Sequence, residues 1–267
     1  MNFSKYPKNV IIVGAGGIGF YLSPMITRMV NDSAGKTNIV IIDGDSIEQK
    51  NLARAFGADQ VGQNKAYVLR DQLLRMAPYP DNLNITALGL YFDDSRECAG
   101  AIQEATDPGQ IALFGCVDNA QTRIMLQNFA EKKSESCVIS YLDGGNDLTS
   151  GQSFLYVGMP GGASPRIDQV FPDLAAAEGI QDLHPNNVPC TAVYESEPQQ
   201  ALTNSMVANL MCGHFFSLTN LDLEEVRNVV RCDLKDQDRL AVANSLAPRE
   251  TVSQEEFKNI DAPVVGV

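Results

Sequence analysis

Short runs of consecutive apolar residues, most of them β-branched, recur along the first half of the chain: Val10 to Val13, Ile39 to Ile42 and Ile111 to Phe114. Unbroken runs of this kind, rather than alternation, predict strands covered on both faces. Further strands are predicted at Asn84–Leu88, Cys137–Leu142 and Gly151–Val157. Between them the apolar positions take helical spacing. Residues 62–76 place Ala66, Leu69, Leu73 and Met76 on one face. Residues 17–30, 94–105 and 121–130 also read as helices, the first with Pro24 as an expected kink. This alternation predicts an α/β fold, a Rossmann-like doubly wound and mostly parallel sheet.

The second half is less regular. Residues 158–190 are rich in Gly, Pro and Asp, with a short apolar stretch at Leu174 to Ala177, and are expected to form a crossover or lid over the site. A helix is predicted at 198–218, and an antiparallel pair of C-terminal strands at Val226–Leu234 and Arg239–Val242. The residues from about 247 to 267 read as a tail. With no internal repeat, 1–267 is expected to be a single domain.

Composition narrows the classes. The chain has 267 residues, 44% hydrophobic and 20% charged, an ordinary globular balance. No apolar run is long enough to cross a bilayer, so no membrane association is expected. Met1 to Lys8 carries no leader pattern, and a cytoplasmic location is expected. A formal net charge of −13 argues against a nucleic-acid partner held by bulk electrostatics. It leaves room for one nucleotide held by local amides and cations. The six cysteines include no CxxC pair, so no zinc is expected.

Four groups of residues carry candidate chemistry. Gly14, Gly16, Gly17 and Gly19 follow a predicted strand and open a helix, a backbone cradle for phosphate oxygens. Asp43 ends the second strand, where a carboxylate can accept from both ribose hydroxyls. These two features fit NAD or ATP equally. Asn51 and Arg54 lie three residues apart on one side of a helical turn, and Lys65 falls in the first turn of a long helix. A cation there opposes the helix dipole, so an anion is expected beside it, and a triphosphate supplies one. Asp118, followed by Asn119, ends the fourth strand, where a carboxylate can hold Mg²⁺ or cap the next helix.

Five motifs occur in the order found in the ThiF/MoeB and ubiquitin-activating (E1-like) enzymes. They are Gly14-x-Gly-Gly-x-Gly19, Asp43-x-Asp45, Asn51-x-x-Arg54, Val61-Gly-x-x-Lys65-Ala66 and Cys116-x-Asp118-Asn119-x-x-x-Arg123. Residues 9–145 resemble that family. Leu142-Asp-Gly-Gly-Asn146, Gly151-Gln152, Pro189-Cys190 and Gln199 to Asn209 are similar to the ThiF-family proteins of PRTRC systems. The resemblance implies an adenylation fold, ATP and Mg²⁺ as cofactors, and adenylation of the C-terminal carboxylate of a ubiquitin-like or sulfur-carrier protein ending in Gly-Gly. It also implies a homodimer. Asp43 would then bind the ribose, with Asp45 also among the cofactor-binding residues. Asn51, Arg54 and Lys65 would hold the triphosphate, Asp118 would hold Mg²⁺, and Asn119 would be among the nucleotide-binding residues. Pro189-Cys190-Thr191 resembles the surroundings of a thioester cysteine, which makes Cys190 a candidate acyl acceptor. The family's glutamine after the motif arginine is Ala55 here, and no arginine precedes Arg28. An NAD-dependent oxidoreductase and a catalytically silent nucleotide-binding scaffold are the alternatives.

Overall fold

The computed structural model describes residues 7–31, 35–52, 55–93, 95–146, 149–176, 201–221, 226–233 and 240–245. The chain forms, in order, β1 (Asn9–Val13), α1 (Gly17–Val30), β2 (Thr37–Ile42), α2 (Lys65–Met76), β3 (Leu83–Leu88), α3 (Arg96–Glu104), β4 (Ile111–Gly115), α4 (Ala120–Ser134) and β5 (Ile139–Asn146). There follow β6 (Ser150–Met159), β7 (Gly162–Ala163), α5 (Ile167–Val170), α6 (Pro172–Ala176), α7 (Ala201–Asn220), β8 (Arg227–Asp233) and β9 (Leu240–Ser245). One sheet has the order β3-β2-β1-β4-β5-β6-β8-β9, with β7 on the edge of β6. The first five strands are parallel and the rest antiparallel, as expected.

The apolar runs are explained by two cores, one on each face. Side chains alternate along each strand. Val10, Ile12, Ile39, Ile41 and Phe114 pack with α1, α2 and α7 on one face. Ile11, Val13, Val40, Ile42 and Leu113 pack with α3 and α4 on the other. Every position of β1 and β2 is buried, and each isoleucine or valine among them contributes about 1.5–3 kcal/mol.

Two boundaries differ from the sequence reading for identifiable reasons. β5 runs on through Asp143-Gly144-Gly145 to Asn146, because β6 pairs with it along its whole length. Gly144 of β5 and Gly151 of β6 make room for α7: a Cβ on Gly144 would collide with Met211, and one on Gly151 with Val207. The α2 helix starts at Lys65 rather than Gly62, because the Asn64 side chain caps it by accepting from the Ala66 and Tyr67 amides. α1 is continuous through Pro24.

The described first part of the 158–190 segment packs against α4. Arg166 pairs with Glu131 and donates to Asn128, and the Ile167 amide donates to Gln127. These contacts lie towards the C-terminal end of α4, away from the end that follows β4. The rest of that segment, Cys190 and the 247–267 tail lie outside the described residues.

His214 of α7 is buried between helix and sheet, 2.8 Å from Ser153 Oγ through Nδ1, with Nε2 unpartnered. Burial pulls its imidazole from 6.5 down to about 4. The folded state therefore binds fewer protons than the unfolded chain between those values. The stability it carries is full above pH 6.5 and drains as the pH falls towards 4. Urea unfolding should show a loss of about 2 kcal/mol between pH 7 and pH 5 that His214→Gln removes. An unchanged slope in that variant would assign the acid sensitivity elsewhere.

Candidate active site

The parallel register aligns three strand ends. Val13 pairs with Ile42 on one side and Gly115 on the other, so Gly14, Asp43 and Cys116 stand side by side just past the sheet. Ladder-type bonds continue through them, from the Gly14 amide to Ile42 O and from the Cys116 amide to Val13 O, both 2.8 Å. α1 leaves β1 on one face and α4 leaves β4 on the other. This is the switch point where open α/β sheets hold ligands.

The four loop glycines divide by what surrounds them. Gly14 has φ +94°, and a Cβ there would strike the Cys116 carbonyl. A Cβ on Gly19 would strike the Gly14 carbonyl oxygen, and one on Gly17 the Asn204 side-chain amide. Only Gly16, among these four, faces open space. Gly16 is the N-cap of α1 and supplies no side-chain cap, and the first turn holds no acidic residue. The helix thus opens with unsatisfied N–H groups and the positive end of its dipole towards the crevice.

Asp43 borders this cradle. Its Oδ2 accepts from the Ala15 amide at 2.7 Å and its Oδ1 from the Asp45 amide at 2.8 Å, which lock the carboxylate to the loop. A carboxylate has about four acceptor positions, so capacity for hydroxyl donors is left. Burial pushes its pKa above the ordinary value, against the opposing pull of Lys65 and the two amides.

Lys65 finds its anion inside the protein. Its Nζ lies 2.7 Å from Asp45 Oδ2, and the residue is 8% exposed. Asn64 draws the two segments together by donating to the carbonyls of Asp43 and Asp45, at 2.9 and 3.1 Å. Tyr91, from the loop after β3, donates its hydroxyl to Asp45 Oδ1 at 2.7 Å and lays its ring against Gly44. Burial works against the Asp45 charge, but the Lys65 hydrogen bond and charge and the Tyr91 hydroxyl hold its pKa below the usual value. The anion called for beside this cation is supplied within the chain by the Asp45 carboxylate.

Asp118 and Asn119 separate cleanly. Asn119 Oδ1 caps α4 by accepting from the Thr122 amide at 2.7 Å. Asp118 is not the cap and is exposed at the end of β4. Among the described residues no three His, Cys, Asp or Glu side chains converge. A magnesium ion would therefore rest on one carboxylate, phosphate oxygens and water, a set that this hard ion accepts. Asn51 sits in a short 3-10 turn, with its Oδ1 taken by the Glu48 amide at 2.8 Å. Arg54 lies outside the described residues.

Three further residues complete the surroundings: Arg123, which the sequence marks as the end of the Cys116 motif, and two that it does not mark. Arg123 clamps the β4–α4 turn to β5, donating to Val117 O and Gly144 O at 3.0 and 3.1 Å, with Asp143 3.5 Å away. Asp143 is buried under it, its pKa raised by burial despite Arg123 and the Tyr141 hydroxyl. Asn64 and Tyr91 are the others; an Asn before a helix is a readable cap, but nothing local marks Tyr91 as a neighbour of Asp45.

A doubly wound sheet whose switch point carries an uncapped helix end, an open glycine and a strand-end carboxylate defines a Rossmann-like α/β protein. More narrowly, the chain belongs to the ThiF family, whose model matches residues 7–254. Among curated proteins it is similar to ubiquitin-like modifier-activating enzyme 5 of Dictyostelium discoideum, 27% identical over 181 residues, covering 65% of this chain and 44% of that protein. The enzyme of the same name from Aedes aegypti is 31% identical over 134 residues, covering 48% and 32%. The chain thus spans less than half the length of these relatives. Among solved structures, E. coli MccB with AMPCPP and MccA superposes with a TM-score of 0.60 at 17% identity, over 93% of this chain and 66% of that one. PaaA follows with 0.57 at 19%, over 90% and 64%. These two establish the fold.

Proposed function

We propose that this protein uses ATP to adenylate the C-terminal carboxylate of a small protein or peptide. The observation that carries the reading is the open face of Gly16 beside Asp43 and the Asp45–Lys65 pair, at the switch point of a ThiF-family sheet. In the proposed reaction a carboxylate oxygen of the partner attacks the α-phosphorus. The bond from that phosphorus to the bridging oxygen breaks, and pyrophosphate leaves with the electron pair. Such chemistry needs alignment and charge neutralisation more than proton transfer. Asp43 holds the ribose, the α1 amides receive phosphate oxygens, and the triphosphate is assigned to Asn51, Arg54 and Lys65. Asp118 would hold Mg²⁺, which when bound would supply charge neutralisation to the phosphates.

Fold neighbours support both substrates: MccB has been crystallised with ATP, and with AMPCPP and MccA together. The relatives' names favour a ubiquitin-like partner, for which a Gly-Gly terminus is the expected ending. A homodimer and a thioester on Cys190 belong to the same proposal.

ATP–pyrophosphate exchange tests it. The full chain should exchange label only when its partner is present, and an oxidoreductase or a silent scaffold would not. Asp118→Ala should lower exchange by about 10²–10³-fold, with stability changed by less than about 0.5 kcal/mol because the side chain is exposed. Normal exchange in that variant would remove the metal role. In the same assay Cys190→Ala should keep exchange and lose any thioester.

A further inference from the structure

Asn204 meets the head of α1 from α7. It stands in the first turns of α7 and is 1% exposed. Its Oδ1 accepts from Asn146 Nδ2 at 3.0 Å, which fixes the plane of the amide. Its Nδ2 is buried with no hydrogen-bond partner. That nitrogen lies against Gly17, so closely that a Cβ at position 17 would overlap it. Gly17 is therefore glycine to admit an amide, not to admit a phosphate.

The placement is electrostatically odd for a packing residue. Around the head of α1 stand the free N–H groups of the first turn, with no side-chain cap and no acidic residue. Nδ2 adds a donor to a group of donors. An apolar side chain of the same size would fill the space without stranding a polar group. The arrangement becomes satisfied when an oxyanion seats at the helix end. Asp43, locked to Ala15, places a ribose next to Gly16, and the phosphate one ester bond from that ribose is the α-phosphate.

We infer that Asn204 is a ligand of the nucleotide, its Nδ2 donating to one non-bridging oxygen of the α-phosphate, with Asn146 as the positioning residue that holds the amide. This rests on the adenylation reading above. It adds a side-chain donor on the reacting phosphorus beside the α1 amides.

The test is calorimetric titration of the full chain with ATP, AMP and the two diastereomers of ATPαS, in which sulfur replaces one or the other α-oxygen. Wild type should discriminate the diastereomers. Asn204→Asp, which keeps the size and an oxygen for Asn146, and Asn204→Leu should both weaken ATP and AMP by about tenfold or more, and should shrink the diastereomer ratio. Thermal unfolding of both variants shows whether each is folded, and a merely structural role would leave the ratio intact. Wild-type affinities or an unchanged ratio in folded variants would overturn the inference, as would loss of ATP but not AMP affinity. Failure of the wild type to bind either nucleotide would instead overturn the adenylation reading itself.

Discussion

Gly19→Ala should fail to fold stably, whereas Gly16→Ala should fold normally and lose its nucleotide. A methyl group at 19 would enter the space of the Gly14 carbonyl oxygen, which is held by the loop's own turn and cannot yield as a side chain can. The expected cost exceeds about 4 kcal/mol, the range reserved for backbone overlap in a core. Gly14→Ala should follow closely, since its φ of +94° is left-handed and its Cβ would meet the Cys116 carbonyl. At position 16 a methyl group meets nothing, so urea unfolding should shift by less than about 1 kcal/mol. The same methyl occupies the surface on which phosphate oxygens are to sit, and ATP affinity should fall by about 100-fold. Wild-type affinity in Gly16→Ala would mean that no ligand approaches the loop there.

The series also shows what a glycine pattern can and cannot tell. Gly14-x-Gly-Gly-x-Gly19 reads as a phosphate cradle, and the strand and helix around it are legible because both faces of β1 are apolar. Yet three of the four glycines are glycine for contacts with Cys116, Gly14 and Asn204, two of them far along the chain. Asp43 was legible because a strand end fixes where its carboxylate points. Asp118 and Asn119 were not separable, since either can cap a helix, and only the structure assigns that work to Asn119. The strand across Gly144 and Gly145 was hidden because its support comes from β6 and from α7 packing above, not from local propensity. The contact of Asn204 was not legible for the same reason: its meaning lies in the Gly17 surface it meets.

Lys65 is the sharper case. Its place in the first turn of α2 called for an anion, and Asp45 supplies one 20 positions earlier in the chain because Asn64 ties the two segments together. Lys65→Met should lower ATP–pyrophosphate exchange by about 10²–10³-fold, the scale for removing one donor from a charge-developing site. It should also cost about 1–2 kcal/mol of stability, discounted because the Asp45 side chain is 39% exposed. The pH dependence distinguishes the causes. Asp45 has its pKa below the ordinary 3.8, so the stability it carries is present above that value and lost as the pH falls through its lower folded value. Without Lys65 its largest opposing partner is gone, burial dominates, and that acid-side loss should vanish. The double variant Asp45→Asn with Lys65→Met removes both charges together and should recover most of the stability while exchange stays low. Recovery of exchange in the double variant would show that Lys65 serves only to neutralise Asp45. Persistence of the defect, with Asp45→Asn alone retaining exchange, would show that the cation is needed by the leaving phosphates as well as by the carboxylate that holds it in their absence.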